Sequence, residues 1–190
     1  MRYKILIGIL IVSMGIIAFL SEKLTPKQLV KPAVGSIYDF KVKSLEGNDI
    51  DFGQFKGKTL LIVNTASKCG YTYQYEDLQK LHEQFGDNVT VLGFPANNFL
   101  WQEPGSNAEI GEFCQRNYGV DFQMFEKISV KGSDKHPLYT WLEAKSGKSP
   151  SWNFCKYIVN PEGNVIGFYP ATIKPLDSKI LKKLGIDSPQ

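Results

Sequence analysis

Histidine and cysteine are both scarce in this chain, with two of the former and three of the latter among 190 residues. Cys69, Cys114 and Cys155 stand far apart with no C-x-x-C pair, and His82 and His136 form no cluster with them. A zinc site needs ligands grouped at short spacing, so neither a metal nor another cofactor is expected. The odd cysteine count argues against a disulfide-stapled scaffold and leaves catalytic or redox work for one or two thiols. Charge of one sign is also lacking. Against 19 Asp and Glu the 22 Lys and Arg leave a formal +3 with no basic cluster, so no nucleic-acid partner is expected. Internal repeats and low-complexity stretches are missing, and the length suits one globular domain plus a short extra segment.

Long apolar runs are missing too, except at the start. Arg2 and Lys4 precede an uncharged run from Ile5 to Leu20, which ends at Ser21-Glu22-Lys23. It is slightly short of the ~20 residues of a full span, but inside the range a locally adapted bilayer accepts. No small-x-small cleavage site follows, so residues 1–23 are expected to be an uncleaved membrane anchor, with a cleaved signal peptide as the alternative. The basic start places the N-terminus in the cytoplasm and the domain outside, although Lys23, Lys27 and Lys31 oppose that bias. Cleavage would instead leave a secreted or periplasmic protein. Residues 24–36, with Pro26, Pro32 and Gly35, read as a linker, and 37–190 as the folded domain.

Within that domain, Asp39–Val42 and Ile50–Phe52 flank the turn cluster Glu46-Gly47-Asn48-Asp49 and predict a hairpin. Thr59–Asn64 reads as a buried strand, Tyr75–Phe85 as a helix with Tyr75, Leu78, Leu81 and Phe85 on one face, and Val89–Phe94 as a second buried strand. After a loop from Pro95 to Gly105, Ser106-Asn107-Ala108-Glu109 has the spacing of a capping box and opens a helix to about Asn117. Phe125–Val130 is expected to be extended and His136–Ala144 helical. Phe154–Val159 and Val165–Tyr169 form a hairpin about Asn160–Asn164, and Leu176–Leu184 is a closing helix. This order is that of an α/β, thioredoxin-like domain with a central mixed sheet.

Cys69 falls where the strand run Leu60–Thr65 gives way to the Tyr75–Phe85 helix. A thiol near a helix N-terminus, with Lys68 beside it, is favoured as the thiolate, its reactive form. The site is expected to carry sulfur chemistry.

Three segments then converge. Asn64-Thr65-Ala66-Ser67-Lys68-Cys69-Gly70-Tyr71-Thr72 resembles the active-site motif of the glutathione peroxidase family. Leu92-Gly93-Phe94-Pro95-Ala96-Asn97-Asn98-Phe99, running into Gln102-Glu103-Pro104-Gly105-Ser106, is similar to its second signature, and Trp152-Asn153-Phe154 to its third. The likeness extends from about Ile37 to Leu184. The resemblance implies a catalytic tetrad of Cys69, Gln102, Trp152 and Asn153, and a thiol-dependent peroxidase acting on hydrogen peroxide and on organic or lipid hydroperoxides. The Cys69 thiolate would attack one peroxide oxygen and become a sulfenic acid. The two amides and the indole would donate hydrogen bonds without adding charge.

The chain departs from the family pattern at several places. Ala96 stands where many members have a second cysteine, Asn98 replaces a commoner Gln, and Tyr73 and Gln123 replace frequent prolines. Leu100-Trp101, just before Gln102, replaces a small Gly-rich pair and alters the shape of the pocket entrance. The resemblance also implies a resolving cysteine on the helix after the Pro-Gly loop. Cys114 lies on that helix, offset by about one residue from the plant-type pattern, and one helical residue turns a side chain by ~100°. Cys155 is read as structural. The short segment between Trp141 and Trp152 resembles the compact, monomeric type. The expected partners are a hydroperoxide, a thioredoxin-like or glutathione reductant, and a membrane through residues 5–20. Two other readings stay open: a tethered thiol oxidoreductase passing oxidising equivalents to client proteins, and a tethered peroxide sensor.

Overall fold

The computed structural model describes residues 35–186. The expected anchor and, apart from Gly35 and Ser36, the linker lie outside the described residues. Among the described residues no helix is long and apolar enough to cross a membrane.

The first hairpin forms as expected, with β1 (Lys41–Lys43) antiparallel to β2 (Asp49–Asp51). Its turn is closed by the Ser44 N–H donating to the Asn48 carbonyl at 2.8 Å. A five-stranded sheet follows. β3 (Thr59–Thr65) and β4 (Val89–Pro95) run parallel, in register from Thr59 opposite Val89 to Thr65 opposite Pro95, and are joined by α1 (Gln74–Phe85). The short β5 (Gln123–Met124) adds to β4, while β6 (Lys156–Val159) and β7 (Val165–Tyr169) extend the other side antiparallel, giving the order β5-β4-β3-β6-β7. Helices α2 (Asn107–Tyr118), α3 (Pro137–Ser146) and α4 (Ser178–Leu184) complete the thioredoxin-like α/β arrangement.

The two-residue period of the strands sorts the core into two layers. Leu61, Val63, Val91 and Ile158 pack with Leu78, Ile110 and Ile180 in one apolar cluster. Leu60, Ile62, Phe94 and Tyr157 pack with Phe125, Leu138 and Leu142 in the other. Phe94 stacks on Phe125 at a 4.4 Å centroid distance, with Tyr139 edge-on to Phe94 at 5.7 Å. β3 is central, its residues from Leu60 to Thr65 all buried, so the loop that leaves its C-terminal end is anchored on the most buried strand.

The Ser106 box forms as its spacing implies. Ser106 Oγ accepts the Glu109 N–H at 3.3 Å, and Glu109 Oε2 accepts the Ser106 N–H at 2.7 Å. Ser106→Ala should lower stability by ~1 kcal/mol in chemical denaturation, with little change in the slope against denaturant.

Three elements differ from expectation. The extended run at Phe125–Val130 is not a strand, because its amides bond singly to separate partners. The Glu126 N–H reaches the Lys43 carbonyl, Ile128 that of Pro95, and Val130 the Asn98 side chain at 2.8 Å. β6 begins at Lys156 rather than Phe154, since Phe154 turns to φ +63°. The last helix begins at Ser178 because the Asp177 carboxylate caps it by accepting the Lys179 N–H at 2.9 Å.

Candidate functional site

Three chain segments meet at the C-terminal edge of β3. The first is the turn from Ala66 to Tyr73. Thr72 staples it: its hydroxyl donates to the Ala66 carbonyl at 2.8 Å and accepts the Cys69 N–H at 3.0 Å. The turn holds Cys69 almost wholly buried, 8% exposed, as a member of the first core cluster. The Tyr71 N–H points at Cys69 Sγ, 3.4 Å away. A backbone amide aimed at sulfur gives it a hydrogen-bond donor inside the turn. Helix α1 starts only at Gln74, so the donor nearest the sulfur is this turn amide rather than a free N–H of the helix itself.

The second segment is the loop after β4. Its Gln102 carbonyl accepts the Lys68 N–H at 2.9 Å, which sets it beside the residue preceding Cys69. Asn97 Oδ1 braces the loop by accepting the Glu103 N–H at 2.9 Å. Leu100 and Trp101 both take φ +51°, a left-handed backbone that costs an L-residue ~1–2 kcal/mol. In that conformation their side chains stand out, 67% and 78% exposed, and with Tyr73 they are the large exposed hydrophobic residues of the described chain.

The third segment is the corner before β6, and Asn64 holds it. The Asn64 Nδ2 donates to the Trp152 carbonyl at 2.9 Å, its carbonyl accepts the Phe154 N–H, and its N–H reaches the Cys155 carbonyl. The buried Asn153 thereby donates from Nδ2 to Gln102 Oε1 at 3.0 Å, joining two positions separated by 51 residues. The Trp152 ring packs 5.7 Å from that of Phe99. Among the described residues Gln102 Nε2 and Trp152 Nε1 donate to no protein acceptor.

Sequence reading alone does not single out Asn64, Thr72 or Glu103. Glu103 is buried and accepts from the Ser67 hydroxyl at 3.1 Å; burial raises its carboxyl pKa, against the pull of Ser67, Lys127 and Lys68. It borders a cavity of about 350 Å³ lined also by Lys68, Gly105, Glu109 and Phe113. A polar residue inside an apolar strand, as Asn64 is, was the one signal available.

The three thiols are free. Cys114 projects from α2 into the first core cluster, where burial pushes its thiol up to about 11 against the lowering effect of the neighbouring Tyr75 hydroxyl. Cys155 is fully buried beside Ser151. No group of three or more potential metal ligands occurs among the described residues.

Residues 37–143 match the glutathione peroxidase family model. The chain is 45% identical over 157 residues to a glutathione peroxidase homolog of Bacillus subtilis, covering 78% of this chain and 98% of that protein. It is 45% identical over 154 residues to a hydroperoxy fatty acid reductase of Synechocystis, covering 75% and 91%. The crystal structure of a glutathione peroxidase from T. cruzi superposes with a TM-score of 0.63 at 32% identity, covering 80% of this chain and 97% of that one.

Proposed function

Because the chain belongs to the glutathione peroxidase family and is a thiol-dependent peroxidase, we propose that Cys69 reduces hydrogen peroxide and organic or lipid hydroperoxides with electrons from a thioredoxin-like dithiol protein. The observation that carries the assignment of the site is the Asn153–Gln102 hydrogen bond, formed beside the stapled Cys69 turn. In the first step the Cys69 thiolate attacks the terminal peroxide oxygen. An S–O bond forms, the O–O bond breaks, and the departing alkoxide or hydroxide takes a proton to leave as alcohol or water. The free N–H groups of Gln102 and Trp152, and the amide of Asn153, orient the peroxide and stabilise the developing charge. All three donors are uncharged, so the site gains little affinity for ionic competitors.

In the second step the Cys114 thiolate attacks the sulfenic sulfur: an S–S bond forms, the S–O bond breaks, and the departing hydroxide takes a proton to leave as water, so that a Cys69–Cys114 disulfide remains for the external dithiol to reduce. Cys114 is buried with a raised pKa, so this step requires α2 to open locally. That burial also favours a second reading, in which the sulfenic acid is passed to a client thiol and the protein acts as an oxidoreductase or peroxide sensor. Residues 5–20 would tether the domain on the outer face of a membrane, and cleavage after them would release it there. The exposed Leu100 and Trp101 offer an apolar rim for a substrate acyl chain.

Treating the full-length protein with one equivalent of hydroperoxide, then mapping thiols by mass without reduction, tests both readings. The expected product is a Cys69–Cys114 disulfide that thioredoxin reduces and that Cys114→Ser cannot form. Sulfenic or sulfinic Cys69 without a disulfide in the wild type would assign regeneration to a small thiol or a client.

A further inference from the structure

The charged residue buried most completely in this domain lies outside the candidate tetrad. Lys156, the first residue of β6, is fully buried and shares its side of the sheet with Ile158. An ammonium carries three N–H donors and no acceptor, and an unmet charge in an apolar core is costly. Here all three donors are met. Lys156 Nζ reaches the Phe154 carbonyl at 2.9 Å, the Ile173 carbonyl at 2.7 Å, and the Oε1 of Gln74. Gln74 in turn donates from Nε2 to the Ala171 carbonyl at 2.7 Å.

These acceptors belong to the parts of the fold that must be held in mutual register for the candidate chemistry. Gln74 is the first residue of α1 and follows the Cys69 turn. Phe154 follows Asn153 and is held at φ +63°. Its N–H is fixed by the Asn64 carbonyl and its C=O by Lys156, so the peptide units on both sides of Phe154, the residue after Asn153, are held. Residues 171 and 173 belong to the segment between β7 and α4. We propose that Lys156 is a positioning residue for peroxide reduction: its ammonium clamps the Asn153 corner to the start of α1 and so sets Asn153 and Trp152 against the Cys69 turn. The assignment rests on the peroxidase reading of that site.

The clamp works only while the amine is charged. A neutral amine keeps two N–H donors and leaves one of the three acceptors unmatched. Burial lowers the Lys156 pKa to about 7, with Cys155 and Asp77 on α1 pulling the other way. Gln74 brings no charge. Lys174, next to Ile173, has its own ammonium over the Tyr73 ring at 5.6 Å. The clamp therefore loosens as pH rises past neutrality. Stability responds in the opposite sense. With the folded pKa near 7 and the unfolded one at its ordinary 10.5, the unfolded chain binds more protons between them, and this group makes folding more favourable as pH rises.

The test compares two reactions of the same sulfur in the full-length protein: oxidation of Cys69 by hydrogen peroxide and its alkylation by iodoacetamide, both mapped at Cys69 by mass. Both need the thiolate, so their ratio cancels its titration, and only peroxide needs Asn153 and Trp152 in place. In the wild type the ratio of rates should fall at least threefold from pH 6 to pH 8.5. Lys156→Met, checked for cooperative melting, should lower the peroxide rate tenfold or more at pH 6.5 while alkylation stays within twofold. A ratio that stays flat with pH in a reactive wild type overturns the assignment, and needs no variant to fold. A folded Lys156→Met that keeps its peroxide rate, or loses both rates equally, also overturns it. A wild-type Cys69 that peroxide does not oxidise at any pH removes the peroxidase reading and the clamp together.

Discussion

Cys69→Ser should abolish peroxide turnover, lowering kcat/KM on the order of 1000-fold or more, while the domain still melts cooperatively. The serine hydroxyl stays protonated at neutral pH and is a poor nucleophile toward peroxide oxygen, whereas a thiolate is a soft and strong one. The hydrogen bonds that shape the turn survive the change. The Tyr71 N–H and the Thr72 staple are backbone and side-chain groups that do not depend on the sulfur. Cys69 is a buried member of the first core cluster and serine puts a hydroxyl in its place, so a stability loss of ~1–3 kcal/mol accompanies the change. A coupled peroxidase assay with thermal melting decides it. Turnover within tenfold of wild type would mean that another thiol does the chemistry, and Cys114 and Cys155 would then be mapped for oxidation.

Asn153→Ala should lower kcat/KM for peroxide on the order of 100-fold, about 2.7 kcal/mol of transition-state stabilisation, with the rate of iodoacetamide alkylation at Cys69 unchanged. Removing the amide deletes a neutral donor and also frees Gln102, whose Oε1 loses its partner. Gln102 is only half-buried and water can replace that bond, so the expected loss of stability is ~1 kcal/mol, far smaller than the effect on rate. Stopped-flow measurement of the first oxidation separates this loss from any effect on regeneration. A change below threefold would remove Asn153 from the peroxide-reducing step.

The parts of the molecule legible in the chain were those encoded by local spacing. The capping box at Ser106 and Glu109, the buried apolar run of β3, and the turn at Asn160–Asn164 each involve neighbours within a few residues. The motif around Cys69 was legible for the same reason, and so was the family. What could not be read was register between distant segments. Asn64 looked like one more residue of a buried strand, and its bond to the Trp152 carbonyl spans 88 positions. Lys156 falls inside the expected strand Phe154–Val159 with nothing local to mark it, and only the fold shows that three acceptors surround it. The expected extended run at Phe125–Val130 failed for a related reason, since its backbone donors are claimed singly by Lys43 of β1, by Pro95 at the end of β4 and by the Asn98 side chain.

By itself, then, the sequence determined the type of chemistry, through a single cysteine at a strand–turn–helix junction, and the order of elements that carries it. The tertiary structure decided that Asn153 and Gln102 bond to one another, how Leu100 and Trp101 are displayed, and that Cys114 starts from inside the core. The division follows from how each kind of information is stored. Hydrophobic period and capping are short-range and repeat along the chain, while a hydrogen bond between residues many positions apart exists only after packing has set the distance between them.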